Sequence, residues 1–170
     1  GTWLSIFLNM LNAKIYGYSL KRERLSLFNQ TGTFEFCKKN FYSDINNLKK
    51  IKKKLSQSKP EIIFHLAAQP LVSESYSDPV NTFNTNILGT VNLLEAARNI
   101  KSIKSIVIIT TDKIYKINNS KKSYVENDEI GGNDPYSASK ACVEIVVNSY
   151  IQSFTEKSFL KDRISTARSG

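Results

Sequence analysis

Apolar positions along the chain alternate between helical and strand-like spacing. Leu4, Leu8 and Leu11 recur at helical intervals with Phe7 beside them, so the chain opens inside a helix. Ala13 to Leu20, with Ile15, Tyr16 and Tyr18, reads as a strand and is followed by a basic loop from Lys21 to Arg24. Phe34 to Tyr42 has room for another short strand, against which Lys38-Lys39-Asn40 argues. Leu48, Ile51 and Leu55 then fall at i, i+3 and i+7, one face of an amphipathic helix that must end before Lys59-Pro60. Glu61 to Leu66 is almost continuously apolar, the pattern of a strand buried on both faces, and runs into Ala67-Ala68-Gln69-Pro70.

The second half repeats the alternation. Ile87, Val91, Leu94 and Arg98 mark a long helix reaching about Asn99, its apolar face widened by Leu88 and Leu93. The run Ile106 to Ile109 predicts a strand that breaks into Thr110-Thr111-Asp112-Lys113. A polar loop from Asn118 to Asp134 follows, then a helix from Tyr136 carrying Val143, Val146, Val147 and Tyr150. Ile164 to Ala167 closes the pattern as a strand. Strands alternating with helices predict an α/β fold around a parallel sheet. Nothing marks a boundary between residues 1 and 170, so one domain is expected. A βαβ fold that opens with a helix lacks its first strand, and Ser169-Gly170 stops just after one. The chain is therefore expected to be incomplete at both ends.

Composition narrows the class. At 170 residues and 41% hydrophobic content, the chain can bury a sizeable core. It contains no apolar run near the roughly 20 residues a membrane helix needs. Gly1 to Leu11 lacks the basic n-region of a signal peptide, and the two cysteines, Cys37 and Cys142, have no redox or zinc spacing. These readings suit a cytoplasmic protein. The net charge of +9 comes mostly from lysines at 38–39 and 49–54, on the expected solvent face of a helix without a nucleic-acid recognition motif. No nucleic-acid partner is expected. The single histidine, His65, sits in a buried-strand pattern and is expected to serve the core or turn. Trp3 is expected to pack its helix, and no metal site is expected.

Chemistry concentrates between Ile106 and Lys140. Tyr136 and Lys140 stand at i and i+4, on one helix face. A phenol is a poor base at neutral pH, but a neighbouring ammonium favours the phenolate, making Tyr136 an acid/base for a sugar hydroxyl. Lys140 can also donate to a ribose. Thr111 ends a strand 25 residues upstream, where its hydroxyl can share the same substrate oxygen. Asp112 and Lys113 offer an acid and a base beside it. Read by itself, the pair is equally consistent with a surface ion pair.

A strand-end Thr111 with a helical Tyr136-x-x-x-Lys140, downstream of Leu66-Ala67-Ala68, resembles the extended short-chain dehydrogenase/reductase family. Within it, Gly1 to Ser5, His65 to Val72, Thr110 to Tyr115, Gly131 to Ala141 and Thr166 to Gly170 resemble the nucleotide-sugar 4,6-dehydratases, and among these the ones acting on CDP-glucose. Lys113 is the most specific mark, since the dTDP-glucose and GDP-mannose dehydratases carry glutamate there.

The resemblance implies a Rossmann-like, doubly wound parallel sheet with helices on both faces, and NAD as cofactor. It implies that Tyr136, with Thr111 and Lys140, takes the proton of the 4-hydroxyl. Asp112 is then the acid at carbon 6 and Lys113 the base at carbon 5. It places Gly1 in the phosphate-binding turn, Asp44 and Ile45 at the adenine, Leu66, Ala67, Ala68 and Gln69 under the cofactor's centre, and Thr85 on the next helix. Gln69 and Thr111 also face the sugar. Asp44 has a second reading, as the cap of the lysine-rich helix. Lys21 and Arg22 stand where many relatives hold the ribose with a carboxylate, which leaves NADP open beside NAD.

The expected substrate is a nucleotide sugar, and the product feeds dideoxy sugars of bacterial surface polysaccharides. A homodimer is expected through the helices at about 80–99 and 136–154. Alternatives are another dehydratase or 4-epimerase of the same family, or a non-catalytic relative that binds NAD.

Overall fold

The computed structural model describes residues 1–21, 24–117, 123–154 and 162–170. Arg22 and the first residues of the expected loop at Asn118 lie outside them. The elements run α1 (Thr2–Met10), β1 (Ile15–Ser19), α2 (Leu27–Gln30), β2 (Cys37–Tyr42), α3 (Leu48–Ser58) and β3 (Ile62–His65). Next come α4 (Val72–Ser77), α5 (Pro79–Phe83), α6 (Gly89–Ala97), β4 (Ser105–Thr111), α7 (Pro135–Phe154) and β5 (Ile164–Ser169). The strand argued against by Lys38-Lys39-Asn40 forms, because the two lysines are exposed, Asn40 Nδ2 donates to Phe34 O at 3.4 Å and Phe41 is buried.

All ladder pairs are parallel, as the alternation requires. The strands group into two sheets, β1-β2 and β3-β4-β5. Two apolar clusters hold the helices to them. One joins Leu94, Ala97, Ile103, Ile106, Ile108, Val143 and Val147. The other joins Ile45, Ile51, Leu93 and Ala96, with Tyr18 of β1 and Ile63 of β3 packed against it, so it ties the two sheets together. The lysine-rich α3 behaves as its spacing predicts: Ile51 is buried, and Leu48 and Leu55 pack inward beside it. Its cap is Asn47, which accepts from Lys50 N at 3.0 Å, so Asp44 is not the cap.

Two expectations about burial fail. β3 is not covered on both faces: Ile62 is 52% exposed and only His65 is buried, and among the described residues the strand pairs with β4 alone. Trp3 is 65% exposed and α1 has no buried residue, since among the described residues nothing covers its outer face.

The expected long helix comprises α5, a π segment (Asn84–Leu88) and α6 in direct succession. Asp78 caps its start, accepting from Asn81 N at 3.0 Å, with Pro79 in the first turn. Gly89 lets this helix approach the β2–α3 connection, because a Cβ there would come within 2.6 Å of Ile45 Cγ2. The helix α7 starts abruptly at Pro135. Asp134 Oδ1 accepts from Ser137 N at 2.9 Å and Asp134 Oδ2 from Ser137 Oγ at 2.6 Å. Among the described residues, no helix is long and apolar enough to cross a membrane.

Candidate active site

Every residue singled out from the sequence for cofactor binding, other than Thr85 and those on α7, follows a strand end or begins a helix. That is where parallel α/β sheets hold ligands. Gly1 precedes α1, Asp44 and Ile45 follow β2, Leu66 to Gln69 follow β3, and Thr85 stands in the π segment. Thr111 is the last residue of β4, and Asp112 and Lys113 open the 3₁₀ turn after it.

The helix α7 brings its acid/base pair to that strand end. Lys140 Nζ donates to the carbonyl oxygen of Ile109 at 2.9 Å, two residues before Thr111. Tyr136 lies one turn earlier on the same helix, and both side chains are buried. Burial lowers the Lys140 pKa from 10.5 to about 8. An ammonium in that setting stays charged at neutral pH but is poorly hydrated.

Thr111 Oγ1 donates to Asp112 Oδ1 at 3.1 Å and accepts weakly from Lys113 N at 3.4 Å. Lys113 Nζ reaches the same Asp112 oxygen at 3.4 Å, and both side chains are about half exposed. A hydroxyl, a carboxylate and an ammonium are thus joined within three consecutive residues.

The β3–α4 connection is tied to α7 by Asn86, which the sequence reading did not single out. Asn86 Oδ1 accepts from Gln69 N at 2.8 Å, and Nδ2 donates to Gln69 O at 3.1 Å and to Ser139 Oγ at 2.8 Å. Ser139 in turn donates to Tyr136 O at 2.6 Å. The π segment supplies the off-register position this bridge needs, a common use of such bulges. A signal was available, since Asn86 and Thr90 are polar residues at i and i+4 inside an apolar helix pattern.

Gln69 departs from the expected sugar contact. Its Nε2 donates to Thr82 Oγ1 at 2.8 Å and to Leu71 O at 3.1 Å, and its Oε1 accepts from Leu71 N at 2.6 Å. Both amide hydrogens are committed inside the protein, so the side chain braces the loop and has no donor for a sugar.

His65 is a core residue, as its strand pattern implied. Thr90 Oγ1 donates to Asn86 O at 2.7 Å, so His65 Nε2, 2.9 Å away, must carry the hydrogen and donate to Thr90. Burial, aided by the nearby Lys140 charge, lowers its pKa to about 4, which keeps the ring neutral.

The donor set fits the nicotinamide end of a dinucleotide. Lys140 commits one of its three hydrogens among the described residues, leaving two for a ribose diol beside the Tyr136 phenol. At the other end the fit is looser. Asp44 Oδ1 already accepts from Asn46 N at 2.7 Å, its carbonyl oxygen accepts from Tyr18 Oη at 3.0 Å, and Lys21 is exposed just after β1.

Comparison with known proteins agrees with this geometry. The family model described as GDP-mannose 4,6 dehydratase matches residues 7–162. CDP-glucose 4,6-dehydratase of Salmonella typhimurium is 39% identical over 154 residues, covering 91% of this chain and 43% of that protein. Among solved structures, UDP-glucose 4-epimerase of Thermus thermophilus in complex with NAD superposes with a TM-score of 0.81 at 24% identity, covering 99% of this chain and 50% of the other. The dTDP-glucose 4,6-dehydratase of Bacillus anthracis in complex with NAD gives 0.76 at 20% identity, covering 98% and 50%. The chain spans about half the length of these relatives. It belongs to the GDP-mannose 4,6 dehydratase family of nucleotide-sugar dehydratases and epimerases, and has their Rossmann-like fold.

Proposed function

We propose that this family member forms the cofactor-binding half of an NAD-dependent CDP-glucose 4,6-dehydratase. The observation that carries the reading is the Lys140–Ile109 contact, which ties the helix bearing Tyr136 and Lys140 to the strand that ends at Thr111. The 39% identity to the Salmonella enzyme and the lysine at position 113 support CDP-glucose as the substrate.

NAD, when bound, supplies a hydride acceptor at carbon 4 of the hexose and the same hydride for return to carbon 6. Tyr136 takes the proton of the 4-hydroxyl, and Lys140 stabilises the phenolate and holds the ribose. Thr111 orients the 4-oxygen by hydrogen bonding. A ketone at carbon 4 acidifies the carbon 5 proton, which Lys113 removes as the base. Asp112 is the acid that protonates the departing 6-hydroxyl, so water leaves across carbons 5 and 6. The Asp112–Lys113 contact supports this division of labour, because a proton can pass between groups 3.4 Å apart to reset both. Gly1, Asp44, Ile45, Leu66, Ala67, Ala68 and Thr85 line the proposed cofactor groove, and Gln69 fixes its floor.

The homodimer belongs to the same proposal. Val80, Phe83, Leu88 and Ile145 are exposed on the helices expected to pair, and light scattering of the full-length protein tests it.

The deciding experiment offers the full-length protein CDP-, dTDP- and UDP-glucose and GDP-mannose with NAD, and follows the 4-keto product in alkali. CDP-glucose should turn over alone, and Tyr136→Phe and Lys113→Ala should abolish product. Turnover of another nucleotide sugar would overturn the CDP assignment. Tritium that stays at carbon 4 instead of moving to carbon 6 would mean an epimerase.

A further inference from the structure

The face of α7 that carries Tyr136 and Lys140 continues to Glu144, one further turn along. Its carboxylate has all its ordinary acceptor sites filled. Oε1 accepts from Thr110 Oγ1 at 2.5 Å and Arg168 Nε at 3.2 Å. Oε2 accepts from Thr166 Oγ1 at 3.0 Å and Arg168 Nη2 at 3.2 Å. The pair is largely buried, with side chains 10% and 19% exposed. Burial pushes the Glu144 carboxyl up, but the hydrogen bonds from Arg168, Thr110 and Thr166 outweigh it and hold the group below its usual range.

Arg168 extends the network outward. Its Nη1 donates to Tyr115 Oη and to Glu126 O, each at 2.9 Å, and its guanidinium lies 5.0 Å from the Tyr115 ring centroid. Tyr115 stacks on Tyr124 at 4.6 Å. The polypeptide around Ile130 is paired antiparallel to Tyr115, with Gly131 N donating to Ile114 O at 2.6 Å. One buried ion pair therefore joins α7, β4, β5 and both arms of the loop between β4 and α7. Planar bidentate pairing is what arginine, and not lysine, provides.

Thr110 is the key link. It is the residue before Thr111, on the opposite side of the strand, so fixing its hydroxyl fixes the strand end from behind. Lys140 anchors α7 one residue further back, at Ile109. We infer that Glu144 and Arg168 are positioning residues that hold the Asp112–Lys113 turn in register with Tyr136, an assignment that rests on the proposed dehydratase reading. On this assignment the pair governs elimination more than hydride transfer. Tyr136 and Lys140 keep their own anchor at Ile109 when the clamp is cut, whereas Thr110, the residue behind the turn, loses its side-chain bond to α7.

The test uses the full-length enzyme with Glu144→Gln and Thr110→Val, and Thr110→Ser as the conservative control. In Glu144→Gln and Thr110→Val, kcat should fall at least tenfold with KM changed less than threefold. Absorbance of the reduced cofactor near 340 nm should build up in a single turnover, because carbon 4 is oxidised but water leaves slowly. Thr110→Ser, which keeps the donor, should recover most of the loss. Hydrogen exchange provides an arm independent of activity: peptides covering 110–117 and 124–130 should exchange faster in Glu144→Gln, and those covering α3 should not. A fall in kcat without reduced cofactor, or equal failure of Thr110→Ser and Thr110→Val, would overturn the role. Unchanged exchange at 110–117 would overturn the clamp itself. If the wild-type protein converts no nucleotide sugar, the dehydratase reading falls, and the exchange arm still decides whether the clamp exists.

Discussion

The Lys140 ammonium donates to the Ile109 carbonyl oxygen at 2.9 Å, and this bond locks the acid/base helix to the strand whose end carries Thr111. An ammonium held there is unfavourable for folding and useful for chemistry. The two effects separate cleanly by mutation.

Lys140→Met should therefore lose activity by at least 100-fold without losing stability. Burial lowers the Lys140 pKa from 10.5 to about 8, so at pH 7 the charged form costs the fold on the order of 3 kcal/mol. The charge-assisted hydrogen bond lost with the amine returns about 1.5–3 kcal/mol, no more than the penalty relieved. The sign follows from proton counts: between pH 8 and 10.5 the unfolded chain binds more protons here, so this lysine's penalty fades as pH rises through that window. Thermal melts at pH 7 should show an equal or higher Tm, and a clear drop would refute the argument.

His65 should make the protein acid-sensitive. Its pKa is lowered to about 4 by burial and, secondarily, by Lys140, against 6.5 for a free histidine. The unfolded state takes up the proton first, so stability is lost as pH falls from about 6.5 to about 4. At pH 5 the loss from this group is about 2 kcal/mol. Urea midpoints at pH 7 and pH 5 should lie closer together in His65→Gln than in wild type. An unchanged gap would show that other groups dominate.

Gly132 and Gly131 should respond differently to alanine. A Cβ on Gly132 would fall within 2.6 Å of the Ser137 carbonyl carbon and closer still to Ala138 N, in the first turn of α7. Backbone cannot yield there without moving Tyr136, so Gly132→Ala should cost about 1–3 kcal/mol and reduce turnover. A Cβ on Gly131 meets Lys116 at ordinary contact distance, nearest at its Cβ at 3.4 Å, and Gly131→Ala should be nearly neutral. Equal effects in denaturant melts would contradict this account.

Lys113→Ala tests whether the Asp112 contact is structural or chemical. Both partners are about half exposed, and such ion pairs contribute about 0–1 kcal/mol. Denaturation midpoints should hardly move while dehydration is lost. A large loss of stability with modest loss of rate would assign the pair to folding.

Much of this was legible in one dimension. Ile106 to Ile109, the spacing of Leu48, Ile51 and Leu55, and the helix from Tyr136 each appear in the structure as read, because strand pattern and helical period are local. The parallel α/β class and the strand-end placement of Thr111, Asp112 and Lys113 followed from the same patterns. So did the core role of His65, which its position in an apolar run suggested.

What remained hidden depends on partners distant in sequence. Gln69 reads as a polar residue in a ligand-facing loop, yet Thr82 and Leu71 consume its amide hydrogens. Glu144 carries no local mark of its four donors, all of which lie on strands brought together only by the parallel pairing of β4 with β5. The exposure of β3 and of Trp3 likewise depended on which surfaces found a partner, which an apolar pattern cannot state. Sequence by itself determined the elements and the chemistry available at their ends, since those rest on backbone preference and side-chain type. Tertiary structure alone decided which of those groups are free to act and which are spent holding the site, since a hydrogen bond once made inside the protein cannot also be offered to a ligand.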